Sequence, residues 1–360
     1  MVILHVAHMS CDPYAGVNVA VQGHIKTQQK LETVALLNIG DNYGASDIQH
    51  IFQQRQSHNI SQLPEPFDHP DIAVFHEVYR PLFLLIAHEV KKLGVPYVVF
   101  PHGSLTNTAQ SIKPLKKKIG NLLGFNMFIN GASAIQCLSP REAEGTSFSP
   151  HKFIGTNGIR IPKVAAGKHN ANGIQFVYIG RLDLMIKGLD LLMEAIYLQS
   201  AQLQKEGCHF DLYGPDIGGT LQKLTAMIQD FKISNIVKIH EPIDGINKER
   251  VLLKADYFIQ SSRSEGMSMG ILEALSYGVP CILTDGTGMA EWVTTYKAGY
   301  ACKTSAQAIA EAISRAVDEI SKRNDMVFNA ARAVAENFSW DVVTQNILST
   351  YRAIAENSVK

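Results

Sequence analysis

Short apolar runs set the rhythm of this chain. Residues 2–7, 34–39, 72–76, 95–100 and 134–138 read as buried strands, and stretches of helical spacing at 17–30 and 81–93 fall between them. Strand, turn and helix repeated in that order make βαβ units and a parallel sheet. Residues 161–173, rich in Lys, Ala, Gly and Asn, interrupt the pattern as a linker. It then restarts, with strands at 174–179, 209–213, 237–240, 255–260 and 281–284 and helices at 188–200, 221–231, 247–255, 269–277, 306–323 and 325–336. Ser339-Trp340-Asp341 caps a last helix reaching residue 354, with Trp340 expected at a domain junction. The expected fold class is α/β with two parallel-sheet domains, 1–165 and 166–338, followed by a C-terminal helix at 339–360. Only 41–69 resists placement, and Leu63-Pro64-Glu65-Pro66 within it is irregular.

Composition narrows the function classes. With 360 residues and 46% apolar content, the chain has material for two cores. Thirty-three Lys and Arg cancel thirty-three Asp and Glu, which gives no support to nucleic-acid binding. Cys11, Cys137, Cys208, Cys281 and Cys302 are odd in number and irregular in spacing, so they read as structural thiols of a reducing compartment. The apolar N-terminus is short, lacks a leading basic region, and meets Asp12-Pro13 too early for a signal peptide. No uncharged apolar run approaches the ~20 residues that span a bilayer. The expectation is a cytoplasmic protein. One stretch, 113–128, qualifies it: Lys113, Lys116, Lys117 and Lys118 lie among Leu115, Ile119, Leu122, Leu123 and Phe125. That pattern suits either the anionic inner face of a membrane or an ordinary helix with a solvated lysine side.

The candidate chemistry gathers at strand ends. At 261–280 an apolar run stops at small polar residues, and helical spacing begins at Met269 and ends at Gly278-Val279-Pro280. The first-turn N–H groups of such a helix, including Met269, Gly270 and Ile271, favour an anion such as a diphosphate. Glu265 lies in the preceding loop and Glu273 about one turn into the helix, so one carboxylate can face the reacting end of a ligand and the other its hydroxyls; taken alone they read as a helix-terminus carboxylate and a solvated helix residue. Gly180-Arg181 and Lys187 follow the first strand of this half, Gly214 the second, and Asp285-Gly286-Thr287-Gly288 the last, so a parallel sheet brings all of them to one edge. Arginine offers a planar fork and lysine a point charge, a pair able to hold a diphosphate. In the first half, His102 sits at the carboxyl end of a strand in Pro101-His102-Gly103-Ser104, and Gly16 in the first turn suits either close ligand approach or a plain turn.

These residues carry a family resemblance. Gly180-Arg181-Leu182-Asp183 with Lys187-Gly188-Leu189, Ser262-Arg263-Ser264-Glu265-Gly266-Met267 with Leu272-Glu273-Ala274-Leu275, Gly278-Val279-Pro280 and Gly288 with Glu291 resemble the retaining glycosyltransferase family 4 (group 1) of GT-B fold. Pro101-His102-Gly103-Ser104 before a lysine-rich helix is similar to the acceptor-domain pattern of bacterial members that build surface polysaccharides. The resemblance implies two Rossmann-like domains facing a cleft, an N-terminal acceptor domain, a C-terminal nucleotide-sugar domain, and a final helix packed back on the first. It implies sugar transfer with retention from a UDP- or GDP-sugar to a glycan or lipid-linked saccharide, with no metal or other cofactor. Arg181 and Lys187 would neutralise the leaving diphosphate, helped by the backbone of Met269, Gly270 and Ile271; Glu273 would bind the ribose and Glu265 the donor sugar, beside Gly266, Met267 and Ser268. His102 would touch the sugar or acceptor, Gly16 would clear room for phosphate, Gly180 and Gly214 would line the site, and the base would lie near 240–242. The front-side mechanism of the family leaves Glu265 no role as a nucleophile. Two departures stand out: Ala15-Gly16-Val17 replaces a common glycine pair, and Met267-Ser268 replaces a common Phe-Pro. The competing readings are a catalytically silent nucleotide-sugar-binding subunit, an epimerase or phosphorylase for which no added motif is present, and a dehydrogenase, disfavoured because Gly-x-Gly-x-x-Gly is absent.

Overall fold

The computed structural model describes residues 1–10, 16–40, 44–45, 47–53, 59–111, 113–165, 167 and 173–358. Cys11, the turn expected around Pro13 and linker residues 168–172 lie outside the described residues. The chain divides into two compact units, one of Met1–Gly158 with Trp340–Lys360 and the other of Ile159–Ser339.

Among the described residues the first unit holds seven parallel strands: β1 (Val2–Ala7), β2 (Thr33–Asn38), β3 (Ile51–Gln53), β4 (Ile72–His76), β5 (Tyr97–Phe100), β6 (Ala134–Cys137) and β7 (Lys152–Ile154), in the order β3-β2-β1-β4-β5-β6-β7. The second holds six: β8 (Gln175–Ile179), β9 (His209–Tyr213), β10 (Val237–His240), β11 (Tyr257–Gln260), β12 (Cys281–Thr284) and β13 (Gly299–Cys302), in the order β10-β9-β8-β11-β12-β13. Each sheet reverses its winding next to its first strand, at β1/β4 and at β8/β11. In such sheets the crevice beyond the carboxyl ends of those two strands is where ligands bind.

The strands are apolar because helices cover both faces. Phe75 of β4 meets Phe83, Tyr97 and Phe128 edge-on at 5.2–5.5 Å, building one core; Phe176, Phe210 and Tyr257 stack at the centre of the other. In the first unit the C-terminal helix Trp340–Ser358 packs on the helix Gly16–Gln28, with Thr344 Oγ1 donating to Thr27 Oγ1 at 2.7 Å and Tyr351 donating to Gln136 Oε1 at 2.5 Å. The Trp340 indole lies flush on that helix: a Cβ at Gly23 would come within 1.9 Å of it, so only glycine fits there.

The basic stretch departs from a single helix. It folds as Pro114–Gly120, a wide turn at Asn121–Phe125 and a short helix Asn126–Asn130, because Gly124 adopts φ +135°, which breaks the α ladder. Three short strands, β3, β7 and β13, are additions to the elements read from the pattern. No helix among the described residues is long and apolar enough to cross a membrane.

Candidate active site

In the second unit the carboxyl end of β8 opens into Gly180-Arg181. Gly214 occupies the matching place after β9, and a Cβ there would stand 1.8 Å from the Gly180 carbonyl oxygen. The two loops continue the ladder, Gly180 N–H donating to Tyr213 O and Leu182 N–H to Pro215 O, both at 2.9 Å. Backbone contact therefore explains Gly214, and the Tyr178 hydroxyl, 2.9 Å from a Cβ built on Gly180, explains Gly180, without any ligand. Tyr178, whose burial pushes its phenol well above the ordinary value, donates to Arg181 O at 2.7 Å and pins the turn. The Arg181 side chain is exposed and makes no ion pair among the described residues.

Lys187 closes a one-turn helix, Leu184–Lys187, started by Asp183, whose carboxylate accepts from Ile186 N–H at 2.8 Å. Gly188 ends it in the left-handed region, and the Ser261 hydroxyl lies 3.0 Å from Lys187 O and 2.9 Å from Gly188 O. Arg263 holds the same turn from outside: it forks onto both Asp190 oxygens at 2.7 and 2.6 Å and donates to Leu184 O. The result is a lysine only 8% exposed, with its ammonium on Glu265 Oε2.

Glu265 is fixed just as firmly. Its N–H donates to Gly286 O and its carbonyl accepts from Gly288 N–H, both at 2.9 Å, so the loop Asp285-Gly286-Thr287-Gly288 serves as a backbone clamp. Its carboxylate also accepts from Gln260 Nε2 at 3.3 Å. Gln260, Arg263 and Lys248 were not among the residues singled out by sequence. A glutamine closing the apolar strand Tyr257–Gln260 is the one local signal among them; the other two reveal themselves only through partners 73 and 25 residues away.

The helix Met269–Ser276 starts beside β8, since a Cβ on Gly270 would lie 3.0 Å from Ile179 O. Ser268 at its N-cap makes no side-chain hydrogen bond to it, so the first-turn N–H groups of Met269, Gly270 and Ile271 keep their anion-binding character. Met267 and Ser268 are buried, Gly266 half-buried. Glu273, one turn along, accepts from Lys248 Nζ at 2.9 Å. Nearby, His240 lies 2.6 Å from Asp211 Oδ1 and stacks on Tyr213 at 4.5 Å. Arg181, Lys187, Glu265 and Glu273 are thus carried by one unit, on loops and a helix that border its switch point.

The first unit holds the remaining candidates. Gly16 is the exposed first residue of the helix Gly16–Gln28, and among the described residues no atom lies within 4 Å of a Cβ built on it. His102 follows β5 with φ +48°, an uncommon state for a residue with a side chain, and the next residue, Gly103, has φ +85°. Buried Glu142 anchors this turn, accepting from Gly103 N–H at 2.6 Å and from Leu138 N–H at 2.7 Å; desolvation raises its pKa. Burial lowers the pKa of His102 to about 3, so its imidazole is neutral.

The fold comes first: two doubly wound parallel sheets in one chain are the GT-B architecture, which a solved glycosyltransferase of Rickettsia africae shares with a TM-score of 0.71 at 17% identity, over 99% of each chain. The Anabaena protein Alr3699/HepE, solved in complex with UDP, superposes with a TM-score of 0.76 at 17% identity, over 98% of this chain and 100% of that one. The particular relationship is then sequence-borne. Residues 162–333, within the second unit, match the family model described as glycosyl transferases group 1. TuaC of Bacillus subtilis, named as a glycosyltransferase of teichuronic acid biosynthesis, is 26% identical over 74% of this chain. WcaL of Escherichia coli, named as a glycosyltransferase of colanic acid biosynthesis, is 24% identical over 52%. The alignments span 66% and 47% of those relatives' own lengths.

Proposed function

We propose that this chain is a retaining glycosyltransferase that moves a sugar from a nucleoside-diphosphate sugar to a saccharide acceptor, glycan or lipid-linked, in surface polysaccharide synthesis. The observation that carries the reading is the set of charges at the β8/β11 switch point: one exposed guanidinium, one buried ammonium and an uncapped helix start, with two carboxylates beside them. The three cationic elements suit the diphosphate, whose charge grows as the glycosidic bond breaks; Arg181 and Lys187 then do without a metal ion what a divalent cation does elsewhere. Glu273, steadied by Lys248, binds the ribose hydroxyls. Glu265 is engaged by Lys187 and Gln260, which fits a carboxylate that orients sugar hydroxyls rather than a free nucleophile. His102 contacts the sugar or the acceptor hydroxyl. The UDP held by the Anabaena protein makes UDP the first nucleotide to test, with GDP second.

A thermal-shift screen of nucleotides and nucleotide-sugars tests the reading, because a ligand bound only by the folded state raises its stability. One base should raise the melting temperature as its diphosphate and less as its monophosphate. Glu273→Ala should weaken that diphosphate about 10–100-fold by calorimetry, the loss of one or two hydrogen bonds to a charged group. Binding without turnover on any donor would identify the silent subunit instead.

The same reading includes peripheral contact with an anionic membrane. Leu115, Ile119, Leu122, Leu123 and Met127 are exposed, Leu122 at 86%, and Lys113, Lys116 and Lys118 are exposed among them. Each basic residue near such a surface contributes roughly 1 kcal/mol. The protein should sediment with vesicles containing phosphatidylglycerol and not with neutral ones, and the double change Leu122→Glu/Leu123→Glu should abolish the sedimentation.

A further inference from the structure

Three histidines of the first unit form a hydrogen-bonded row across adjacent strands. His5 of β1 places Nδ1 2.8 Å from His76 Nε2, and His76, at the end of β4, places Nδ1 3.0 Å from Nε2 of His102 after β5. The rings are stacked, with centroids 5.1 and 5.3 Å apart. At the inner end, His5 Nε2 lies 2.9 Å from Gln28 Oε1, while Gln28 Nε2 is buried with no partner among the described residues. His5, His76 and Gln28 are fully buried. Every ring nitrogen of the row except His102 Nδ1 faces a neighbouring nitrogen or oxygen, so the lone pairs do not converge on one point.

A neutral imidazole has one N–H and one lone pair, and a bond between two imidazoles needs one of each. The far end of the row therefore dictates the near end. Gln28 Oε1 can only accept, which puts a proton on His5 Nε2 and leaves Nδ1 a lone pair. His76 must then donate through Nε2, His102 must do the same, and His102 Nδ1 is left as an acceptor. Turning the Gln28 amide over would reverse every bond and make Nδ1 a donor.

We propose that Gln28, His5 and His76 form a buried tautomer lock that fixes His102 as the Nε2–H imidazole and presents its Nδ1 lone pair to a substrate hydroxyl. Gln28, His5 and His76 are positioning residues: they touch no substrate and act only through His102. The Glu142 anchor fixes the backbone of the turn while the row fixes its ring, so strain and tautomer are set by separate contacts. Burial keeps the row neutral, with His5 lowered to about 4, and an amide at its end cannot take a proton; the row orients and does not carry protons away. The functional part of this inference rests on the glycosyltransferase reading, and the tautomer part does not.

The test uses the full chain labelled with 15N-histidine. In the wild type, His102, assigned from the spectrum of His102→Ala, should show a single Nε2–H tautomer. His76→Phe breaks the row in the middle and Gln28→Leu at its end; in either, His102 should become a mixture, whereas Gln28→Glu, which keeps the acceptor, should retain the single form. Transfer should fall about a hundredfold in His76→Phe, the cost of a misplaced group, and His76→Phe/His102→Ala should be no slower than His102→Ala alone, since one acts through the other. An unchanged single tautomer in both His76→Phe and Gln28→Leu overturns the lock, and so do single losses that multiply in the double variant. Normal transfer by His102→Ala beside a confirmed lock would strike the reading of His102 in the reaction and leave the lock standing.

Discussion

Lys187→Ala should lower the rate of sugar transfer by about 10²–10³-fold, the usual cost of removing one preorganised charge from a transition state, while the chain stays folded. The fold survives because the turn does not depend on the ammonium: Ser261 and Arg263 hold its carbonyls, and Asp183 caps its start. The chemistry suffers twice. The diphosphate loses a donor in a setting only 8% exposed, where water screens little. Glu265 also loses its counter-charge and turns into a repulsive neighbour for the incoming phosphates. Three N–H groups on one ammonium can serve the carboxylate and the diphosphate together, so the pair does not have to open for the donor to bind. Calorimetry should show weaker binding of the nucleoside diphosphate with the monophosphate nearly unchanged, and Lys187→Ala/Glu265→Gln should regain part of that affinity without regaining turnover. Wild-type turnover in Lys187→Ala would remove the diphosphate from this end of β8.

The second large effect concerns pH. Burial lowers His5 from 6.5 to about 4 and His24 and His102 to about 3. Between those values and 6.5 the unfolded chain binds protons that the folded one refuses. Stability therefore rises with pH in this window: it is fully present above about 6.5 and lost progressively as pH falls toward 4 and 3. Each fully buried histidine contributes a slope of up to about 1.4 kcal/mol per pH unit, so the three that are fully buried, His5, His24 and His76, whose pKa burial also lowers, together cost up to about 4 kcal/mol per unit. Between pH 6.5 and pH 5 that slope removes up to about 6 kcal/mol, enough to unfold a domain at the low end of the usual ~5–15 kcal/mol and to weaken any other. The chain has two tryptophans, one in each unit. Trp340 sits edge-on to His24 at 5.1 Å, so in a Trp292→Phe background its fluorescence reports the first unit alone. Urea midpoints of that signal should fall steeply from pH 7 to pH 5, and less steeply in His24→Gln. A flat profile over that range would show that the histidines are not the acid-sensitive groups.

Much of this architecture was legible because its strands carry either unbroken apolar runs, as the fully buried Ile72–His76 and Cys281–Thr284 do, or apolar alternation. Ile72–His76, His209–Tyr213, Val237–His240 and Cys281–Thr284 lie where the apolar runs put them. The strands absent from the pattern, Ile51–Gln53, Lys152–Ile154 and Gly299–Cys302, are all outermost in their sheets. Three or four residues each and only partly buried, they carry too little apolar signal to stand out; Val237–His240, also outermost, is read because Val237 and Ile239 alternate with polar residues. The candidate site divides along the same line. Residues at strand ends and helix starts become candidates by their place in the pattern, as Arg181, Lys187, Glu265 and Glu273 do, and the family resemblance supplies their expected roles. Their partners do not: Lys248 reaches Glu273, Arg263 reaches Asp190 and Gln260 reaches Glu265 only once the sheet has brought distant loops together. His5 and His76 read singly as polar residues within strands, and their row exists only across β1, β4 and β5.

The placement of Trp340 also bears on the order in which the chain matures on the ribosome. Ile159 N–H donates to Phe338 O at 2.7 Å, so the second unit begins and ends at one paired crossing and is a single continuous segment. It can fold as soon as that segment has emerged. The first unit, begun earlier, is completed later: the groove at Gly23 and Gly158 that receives the indole stays uncovered until the segment from Trp340 onward arrives. Synthesis thus completes the two units in the reverse of the order in which they start, and the older unit spends that interval with apolar surface exposed to whatever chaperones attend the nascent chain.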